Sequence, residues 1–241
     1  MKNSYSCLLS RKSLFLLTLA ACLGLFAGLS TARADDVFST DFSRDTFDSK
    51  GWTADGNWVI KDFGAGNPGL ANNPGPVADF AAGTKTAGTL TKKFEAIANP
   101  SSLTLTYTAG FGWGTKDHSQ TIDVMLLDDD GTGYIFHVAR AKATWGAQWG
   151  YVTKGVPQDK MTWAASVIDA TQPAVHDGGG LRTFTITRDA SGNWSFNGDG
   201  WTGGPLQFGD ATTTTFSKVV LRGDVNTDEV VFGKVKLEAA K

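Results

Sequence analysis

The stretch that most constrains the fold of this chain is residues 120–140, with the sequence QTIDVMLLDDDGTGYIFHVAR. Two apolar runs of strand length flank an Asp-rich turn that contains a glycine, a pattern typical of a β-hairpin. If residues 129–131 (Asp-Asp-Gly) form a three-residue loop, Gly131 takes the left-handed conformation that such loops require. The sequence therefore predicts a hairpin whose register is set by Gly131.

This register separates apolar from polar residues. Its first face holds Ile122, Val124 and Leu126 opposite Val138, Phe136 and Tyr134. Its second face holds Asp123, Met125, Leu127, Ile135, His137 and Ala139, with Asp123 directly across from His137. A two-residue turn at Asp130-Gly131 would shift the register by one and mix the two classes on both faces. We therefore predict the three-residue loop, with one face on a core and the other available.

The first 34 residues have the features of an export signal. Lys2, Arg11 and Lys12 form a charged start, residues 14–29 are almost wholly apolar, and residues 32–34 (Ala-Arg-Ala) form a small-x-small cleavage site. Cleavage after Ala34 predicts a mature protein of residues 35–241, secreted or periplasmic and bacterial in character. The alternative is a lipoprotein acylated at Cys22, because residues 19–22 (Leu-Ala-Ala-Cys) resemble a lipoprotein processing site.

Loss of the signal changes the composition of the chain. Both cysteines, Cys7 and Cys22, lie within it, so the mature protein would contain no disulfide and no thiol. Removing its four basic residues from the 22 of the whole chain leaves 18, against 24 acidic residues. This acidic balance disfavours nucleic acid and anionic membranes as partners. We expect no transmembrane segment in the mature chain.

The mature chain alternates between strand patterns and turn residues, with no sustained helical period. The predicted strands, besides the central hairpin, are residues 37–42, 56–63, 88–94, 103–108, 148–152, 161–168, 181–188, 193–197, 216–222 and 229–237. Residues 64–77, rich in Gly, Asn and Pro, are predicted to be a loop. Many short strands at this spacing predict an all-β fold, a two-sheet antiparallel β-sandwich in one domain.

Three segments resemble a known superfamily. Residues 184–201 (FTITRDASGNWSFNGDGW) are similar to a hairpin of laminin-G-like and concanavalin A-like lectin and glucanase domains. Residues 51–62 and 216–237 resemble the first and last strands of such domains. The resemblance implies a jelly roll with a curved concave face, on which members of the class often bind or cleave polysaccharide.

The residues needed for hydrolysis in this class are missing. Its glycosidases carry an E-x-D-x-x-E strand that directs all its carboxylates into the cleft, whereas Glu95, Glu229 and Glu238 are far apart in this sequence. A polysaccharide lyase needs a base and a cation that neutralises the uronate carboxylate. His137, Asp123 and Arg140 are the candidates, with Tyr134 and Tyr151 as further bases. The competing interpretation is that Asp123 and His137 form a structural polar pair.

The eight tryptophans provide candidates for ligand binding. Trp52, Trp58 and Trp194 fall in strand patterns and are predicted to be core, and Trp163 stays unassigned. The glycine-flanked tryptophans are predicted to lie in loops, where a ring can stack on a sugar while Gln148, Asp117 and His118 bond its hydroxyls; they are Trp113, Trp145, Trp149 and Trp201. Alternatively, these rings close the ends of the sandwich.

Metal binding is a minor expectation. Residues 128–131 (Asp-Asp-Asp-Gly) lack the alternating spacing of a calcium loop, and a hairpin turn explains them. By resemblance to related jelly rolls, Asp41 and Asp228 could share a structural calcium ion near the terminal strands. We expect no other cofactor.

The sequence favours an exported, non-catalytic sandwich that binds a glycan, such as a polysaccharide, or another cell-surface partner. The alternatives are a polysaccharide-active enzyme, a lyase rather than a hydrolase, and a structural or matrix protein. A binding module predicts an aromatic platform without a convergent base and cation. A lyase predicts a groove that holds His137 beside an Arg or Lys.

Overall fold

The structure, a computed structural model, describes residues 34–42, 46–62, 76–80, 86–111, 121–141, 144–158, 162–163, 181–201, 204–210, 212–224 and 229–240. Within these ranges, the side chains of residues 111, 140, 141, 144, 145, 162 and 163 are not described. The described residues belong to a compact unit, Ala34–Lys241. Its only described helix is a single 3-10 turn at Asp48–Lys50.

The described strands form two antiparallel sheets. Sheet A contains β1 (Asp35–Asp41), β3 (Trp58–Asp62), β4 (Pro76–Phe80), β6 (Ser102–Phe111), β12 (Arg182–Asp189), β13 (Asn193–Gly198), β14 (Leu206–Gly209) and β16 (Val230–Ala240). Its strand order is β14-β13-β12-β6-β16-β4-β3, and β1 also pairs with β16.

Sheet B contains β2 (Trp52–Asp55), β5 (Gly88–Ala98), β7 (Thr121–Leu127), β8 (Gly133–Ala141), β9 (Thr144–Thr153), β10 (Val156–Pro157), β11 (Thr162–Trp163) and β15 (Thr215–Gly223). Its order is β10-β9-β8-β7-β15-β5-β2, and β11 also pairs with β9. The two sheets form the antiparallel β-sandwich that the sequence predicts.

The β7–β8 hairpin has the predicted register. Asp123 pairs with His137, and Val124 pairs with Phe136. The Asp128 amide donates to the Thr132 carbonyl at 2.9 Å, so the loop consists of residues 129–131, and Gly131 has φ 80°. The Asp128 carboxylate accepts hydrogen bonds from the loop amides, which explains the acidic turn without a metal ion.

The β12–β13 hairpin uses the same turn. Asp189 Oδ1 accepts from the amides of Ser191 and Asn193 at 2.8 and 2.9 Å. Gly192 has φ 80°, as Gly131 has. The sequence pattern Asp-x-x-Gly therefore produces the same loop in both sheets, because the carboxylate caps the amides that the turn leaves unpaired.

The core lies between the sheets. Phe136 from sheet B packs on Trp194 and Phe196 from sheet A, with ring centroids 5.5 Å apart in each pair. Trp52 and Trp58 are buried, as predicted for core tryptophans. Burial of a large side chain stabilises the fold by about 1.5–3 kcal/mol, so the inner faces supply most of the stability.

The strand boundaries near the start of the fold differ from the predicted ones, and two strands are not predicted. The predicted strand 56–63 starts at Trp58, and an unpredicted strand, β2, precedes it in the other sheet. Gly56 has φ 81° and directs the chain from one sheet to the other. The predicted loop 64–77 extends too far, because β4 starts at Pro76, where no backbone N–H is required. Strand β14 is also unpredicted.

Within the described residues, no helix has the length and apolar character needed to cross a membrane.

Candidate functional site

The outer face of sheet B, which points away from the core, departs from the usual pattern of a solvated sheet face. A solvated face of an antiparallel sheet carries polar residues. This face instead holds a second apolar cluster, formed by Met125, Leu127, Ile135, Val152 and Val220. A row of polar residues lies beside the cluster. The outer face of sheet B therefore has the mixed character of a binding surface.

The polar row crosses four adjacent strands. Arg222 on β15 pairs with Asp123 on β7, Asp123 pairs with His137 on β8, and His137 pairs with Gln148 on β9. His137 Nδ1 is hydrogen-bonded to Asp123 Oδ1, and Arg222 donates to Asp123 Oδ2 at 3.0 Å. Arg222 also forms an ion pair with Asp224 at 3.0 Å. We call Arg222, Asp123, His137 and Gln148 the polar row.

Burial makes this arrangement rigid. Asp123 is 1% exposed and Gln148 is 3% exposed. A buried carboxylate must be paired, and here both of its oxygens have a partner. Because a carboxylate accepts hydrogen bonds, His137 Nδ1 donates to Asp123, and Nε2 is the ring atom that remains for a further hydrogen bond. The charge of Asp123 also acts across the core, where burial and then Asp123 raise the pKa of Tyr107.

A groove of about 340 Å³ adjoins the polar row on the same face. We call it the lysine groove; its lining residues are Thr89, Thr91, Lys93, Met125, Leu127, Asp130, Gly131, Lys154, Gly155, Lys218 and Val220. The apolar residues come from the second cluster, and the hydroxyl and ammonium groups come from the neighbouring strands and turns. An apolar surface beside a few polar groups is typical of ligand sites.

Two turns define one end of the lysine groove. The Gly155 amide donates to the Gly131 carbonyl at 2.8 Å, which joins the β9–β10 turn to the β7–β8 turn. A Cβ atom on Gly131 would lie 2.8 Å from the Gly155 nitrogen, so a side chain there would separate the turns. This contact holds Lys154 at the groove.

A second groove lies on the outer face of sheet A. It has a volume of about 640 Å³ and is lined mainly by hydroxyl and amide residues, including Thr104, Thr187, Asn193, Ser195 and Gln207. Its two aromatic residues, Trp194 and Phe208, stack on each other and pack on the core. This groove also has an apolar part, formed by Leu103, Trp194 and Phe208, and its lining contains Arg188 but no lysine.

The structure brings together three of the predicted site residues. Asp123, His137 and Gln148 are neighbours in the polar row, with Gln148 in β9, which extends the predicted strand 148–152. The backbone of Arg140 lies in β8, but its side chain is not described. Tyr134 is buried in the core, and Tyr151 is hydrogen-bonded to Asp210 at the sandwich edge. The cation beside Asp123 is Arg222, which the sequence analysis missed.

Two of the predicted aromatic loop positions are strand positions in the structure. Trp145 and Trp149 lie in β9, where Gly146 and Gly150 are strand residues opposite Ala139 and Ile135. Trp149 stacks on Phe208 with centroids 3.8 Å apart and an interplanar angle of 3°, on the inner side of the sheet edge. A ring in this position closes the edge of the sandwich and is not exposed for stacking on a sugar.

Trp201 also packs inward. It is half-buried after the Asp199-Gly200 turn, and its ring meets Phe196 edge-on at 5.1 Å. Trp113, Asp117 and His118 lie outside the described residues, as does most of the predicted strand 161–168, and the side chains of Trp145 and Trp163 are not described.

The calcium prediction stays a prediction. Asp41 is exposed in β1, with its carboxylate 3.9 Å from Lys50 Nζ, and Asp228 lies outside the described residues. Among the residues that the structure describes, no group of three or more His, Cys, Asp or Glu side chains is placed to hold a metal ion.

A buried acidic pair lies elsewhere on the outer face of sheet A. Asp79 on β4 is 2% exposed, and Lys61 Nζ lies 3.6 Å from it and 2.5 Å from Glu229. Burial and the neighbouring Glu229 raise the pKa of Asp79 to about 7. This cluster is remote from the lysine groove because it belongs to the other sheet.

No family model and no curated protein matches the sequence. Solved structures do match. The CBM2 module of the evolved Dit of Lactobacillus casei BL23 phage J-1 is 11% identical, with a TM-score of 0.57 over 87% of this chain and 97% of that chain. The VIP36 exoplasmic/lumenal domain in its Ca²⁺/Man-bound form is 9% identical, with a TM-score of 0.56 over 85% and 91%.

The Emp47p carbohydrate recognition domain is a third match. It is 12% identical, with a TM-score of 0.54 over 89% of this chain and all of that chain, 100%. At such low identity, the similarity establishes the fold and no site. The fold is thus the two-sheet jelly-roll sandwich that the sequence predicts, shared with these carbohydrate-binding domains.

Proposed function

We propose that this protein is a carbohydrate-binding β-sandwich and that it binds glycan on the outer face of sheet B. The observation that carries this proposal is the lysine groove, where an apolar floor lies beside hydroxyl and ammonium groups. A sugar ring packs its C–H face on apolar side chains and bonds its hydroxyls to polar groups. The similar structures include carbohydrate recognition domains, which supports the proposal through the fold.

The polar row contributes fixed hydrogen-bonding groups at the border of the groove. Gln148 and His137 cannot rotate freely, because each is packed between strands and His137 is held by Asp123. Groups that are already ordered lose little side-chain entropy on binding. A glycan that lies across the strands could therefore contact both the groove and the polar row.

The experiment blocks each groove separately. Thr91→Tyr places a ring in the lysine groove, whereas Thr104→Tyr places one in the groove of sheet A; both threonines are half-exposed strand residues that tolerate an aromatic. On a glycan array, Thr91→Tyr should lose binding about fivefold or more, since a blocked site forfeits an anchoring contact of about 1–3 kcal/mol. Thr104→Tyr should bind like the unmodified protein. The opposite pattern would transfer the site to sheet A, and no binding by any variant would refute glycan binding.

A lyase is the second candidate, because a base and a cation lie side by side in the polar row, although Arg222 is already paired with two carboxylates, Asp123 and Asp224. His137 is oriented by Asp123, and Arg222 contacts the same carboxylate. In a β-elimination, a base removes the proton beside the uronate carboxylate, the C4–O bond breaks and a C4=C5 double bond forms. Release of unsaturated uronate by the unmodified protein, lost in His137→Ala, would favour the enzyme. Binding without such product would favour the binding module.

A further inference from the structure

We propose that the lysine groove selects acidic polysaccharides, whose sugar units carry carboxylates. This inference rests on the proposed function and adds the chemical class of the ligand. It depends on how three lysines are placed around the apolar floor.

Lys93 and Lys218 occupy directly opposite positions on β5 and β15. Like charges directly opposite each other on antiparallel strands destabilise a sheet. Val220 and Thr91 are the next opposite pair on the same face, so the two ammonium groups border the apolar floor. A bound carboxylate would remove this repulsion.

The three lysines of the groove are not neutralised by the described residues. Lys218 Nζ donates to the Asp129 carbonyl at 2.6 Å, and none of Lys93, Lys154 and Lys218 forms an ion pair within the described part of the chain. By contrast, Lys236 on sheet A pairs with both Asp36 and Glu238 at 2.9 Å. Asp130 also lines the groove, so the lining has three positive charges and one negative charge.

This excess of positive charge stands out because the whole chain is acidic, with 24 Asp and Glu against 22 Lys and Arg. The acidic overall charge disfavours any polyanion, so an acidic ligand has to be attracted by the local positive charge of the groove. The apolar floor suits a polymer that combines carboxylates with C–H surfaces. Acidic polysaccharides have both, and the hydroxyls of Thr89 and Thr91 can bond the sugar hydroxyls.

The test uses polygalacturonate, alginate and hyaluronan, each paired with the same polymer after reduction of its carboxyl groups to alcohols. At least one acid should bind about tenfold or more tightly than its reduced form, as expected when two or three exposed charge pairs of up to about 1 kcal/mol are made. Lys93→Gln/Lys218→Gln should remove this preference while binding of the reduced polymer stays within about twofold. The matched control is Lys234→Gln, which removes an exposed charge from sheet A and should change neither affinity.

Thermal melts verify that the variants fold. The double variant loses a charge repulsion and also the hydrogen bond from Lys218 to the Asp129 carbonyl, so its melting temperature should stay close to that of the unmodified protein. Equal binding of acid and reduced polymer would overturn the inference and leave glycan binding intact. An unchanged acid preference in the double variant would also overturn it, as would equally tight binding of a DNA duplex. If none of the six polymers binds, the inference about acidic polysaccharides is refuted. Glycan binding is then retained only if the glycan array shows binding to neutral glycans.

Discussion

The outer faces of the two sheets differ in how polar residues are used. On sheet A, Thr104, Thr106 and Thr108 of β6 lie opposite threonines of β12, Lys236 of β16 pairs with Glu238, and the apolar cluster on the outer face is small, with Val77 and Val231 as its buried members. On sheet B, apolar residues are buried on the outer face, a carboxylate is buried in the polar row, and lysines lack partners among the described residues. Strands that alternate between apolar inner and polar outer residues form a solvated outer surface. The outer face of sheet B breaks this alternation, and we assign ligand binding to it.

The largest expected effect contrasts the two faces of one strand of sheet B. Phe136 and His137 are adjacent in β8 but point to opposite faces. Phe136→Ala should lower the free energy of unfolding by about 3–5 kcal/mol, because it removes a buried ring that packs on sheet A. His137→Ala should cost about 1–3 kcal/mol, since Asp123 keeps Arg222 as a partner. Urea denaturation measures both. A larger loss for His137→Ala would show that the polar row, and not the inner face, stabilises sheet B.

Sheet A also buries a carboxylate on its outer face, Asp79, which departs from the contrast between the two faces. A smaller effect on stability is expected there. Because the pKa of Asp79 is raised to about 7, the folded state binds its proton more tightly than the unfolded state does. Its contribution to stability is therefore full at about pH 4 and is lost as the pH rises towards 7. Asp79→Asn should leave stability almost unchanged at pH 4 and raise it by about 1–4 kcal/mol at pH 8.

Thermal melts at several pH values compare Asp79→Asn with a control variant, Asp55→Asn. Asp55 is an exposed carboxylate of sheet B. The Asp55 variant should follow the pH profile of the unmodified protein. If Asp79→Asn also followed that profile, Asp79 would be ionised without cost and the contrast between the two outer faces would be sharper than we describe.

Whether the sequence predicts a contact of the site depends on how far apart its two residues are along the chain. The Asp123–His137 pair follows from one hairpin, because the conformation of Gly131 fixes the register of both strands. Arg222 contacts Asp123 across 99 positions of sequence, and Lys93 meets Lys218 through the same distant strand, β15. Such pairings depend on strand order, which local patterns do not determine.

The loop placement of Trp145 and Trp149 is wrong for a different reason. Glycines beside a tryptophan are typical of turns, but here they occupy outer-face positions of strand β9. In this strand the alternation of side chains governs the outcome, and Trp149 faces inward while Gln148 faces outward. The predicted strand 148–152 contains both residues, and its alternation of side chains already places them on opposite faces.

The most direct test of the central claim uses the methionines. The chain has three, at positions 1, 125 and 161, and Met125 lies in the lysine groove. With ¹³C-methyl methionine labelling, the Met125 signal is assigned by its absence in Met125→Leu. Titration with oligosaccharides of the tightest-binding glycan should shift this signal along the same saturation curve that calorimetry gives. A glycan that binds by calorimetry while the Met125 methyl signal stays unchanged would contradict a site on the outer face of sheet B.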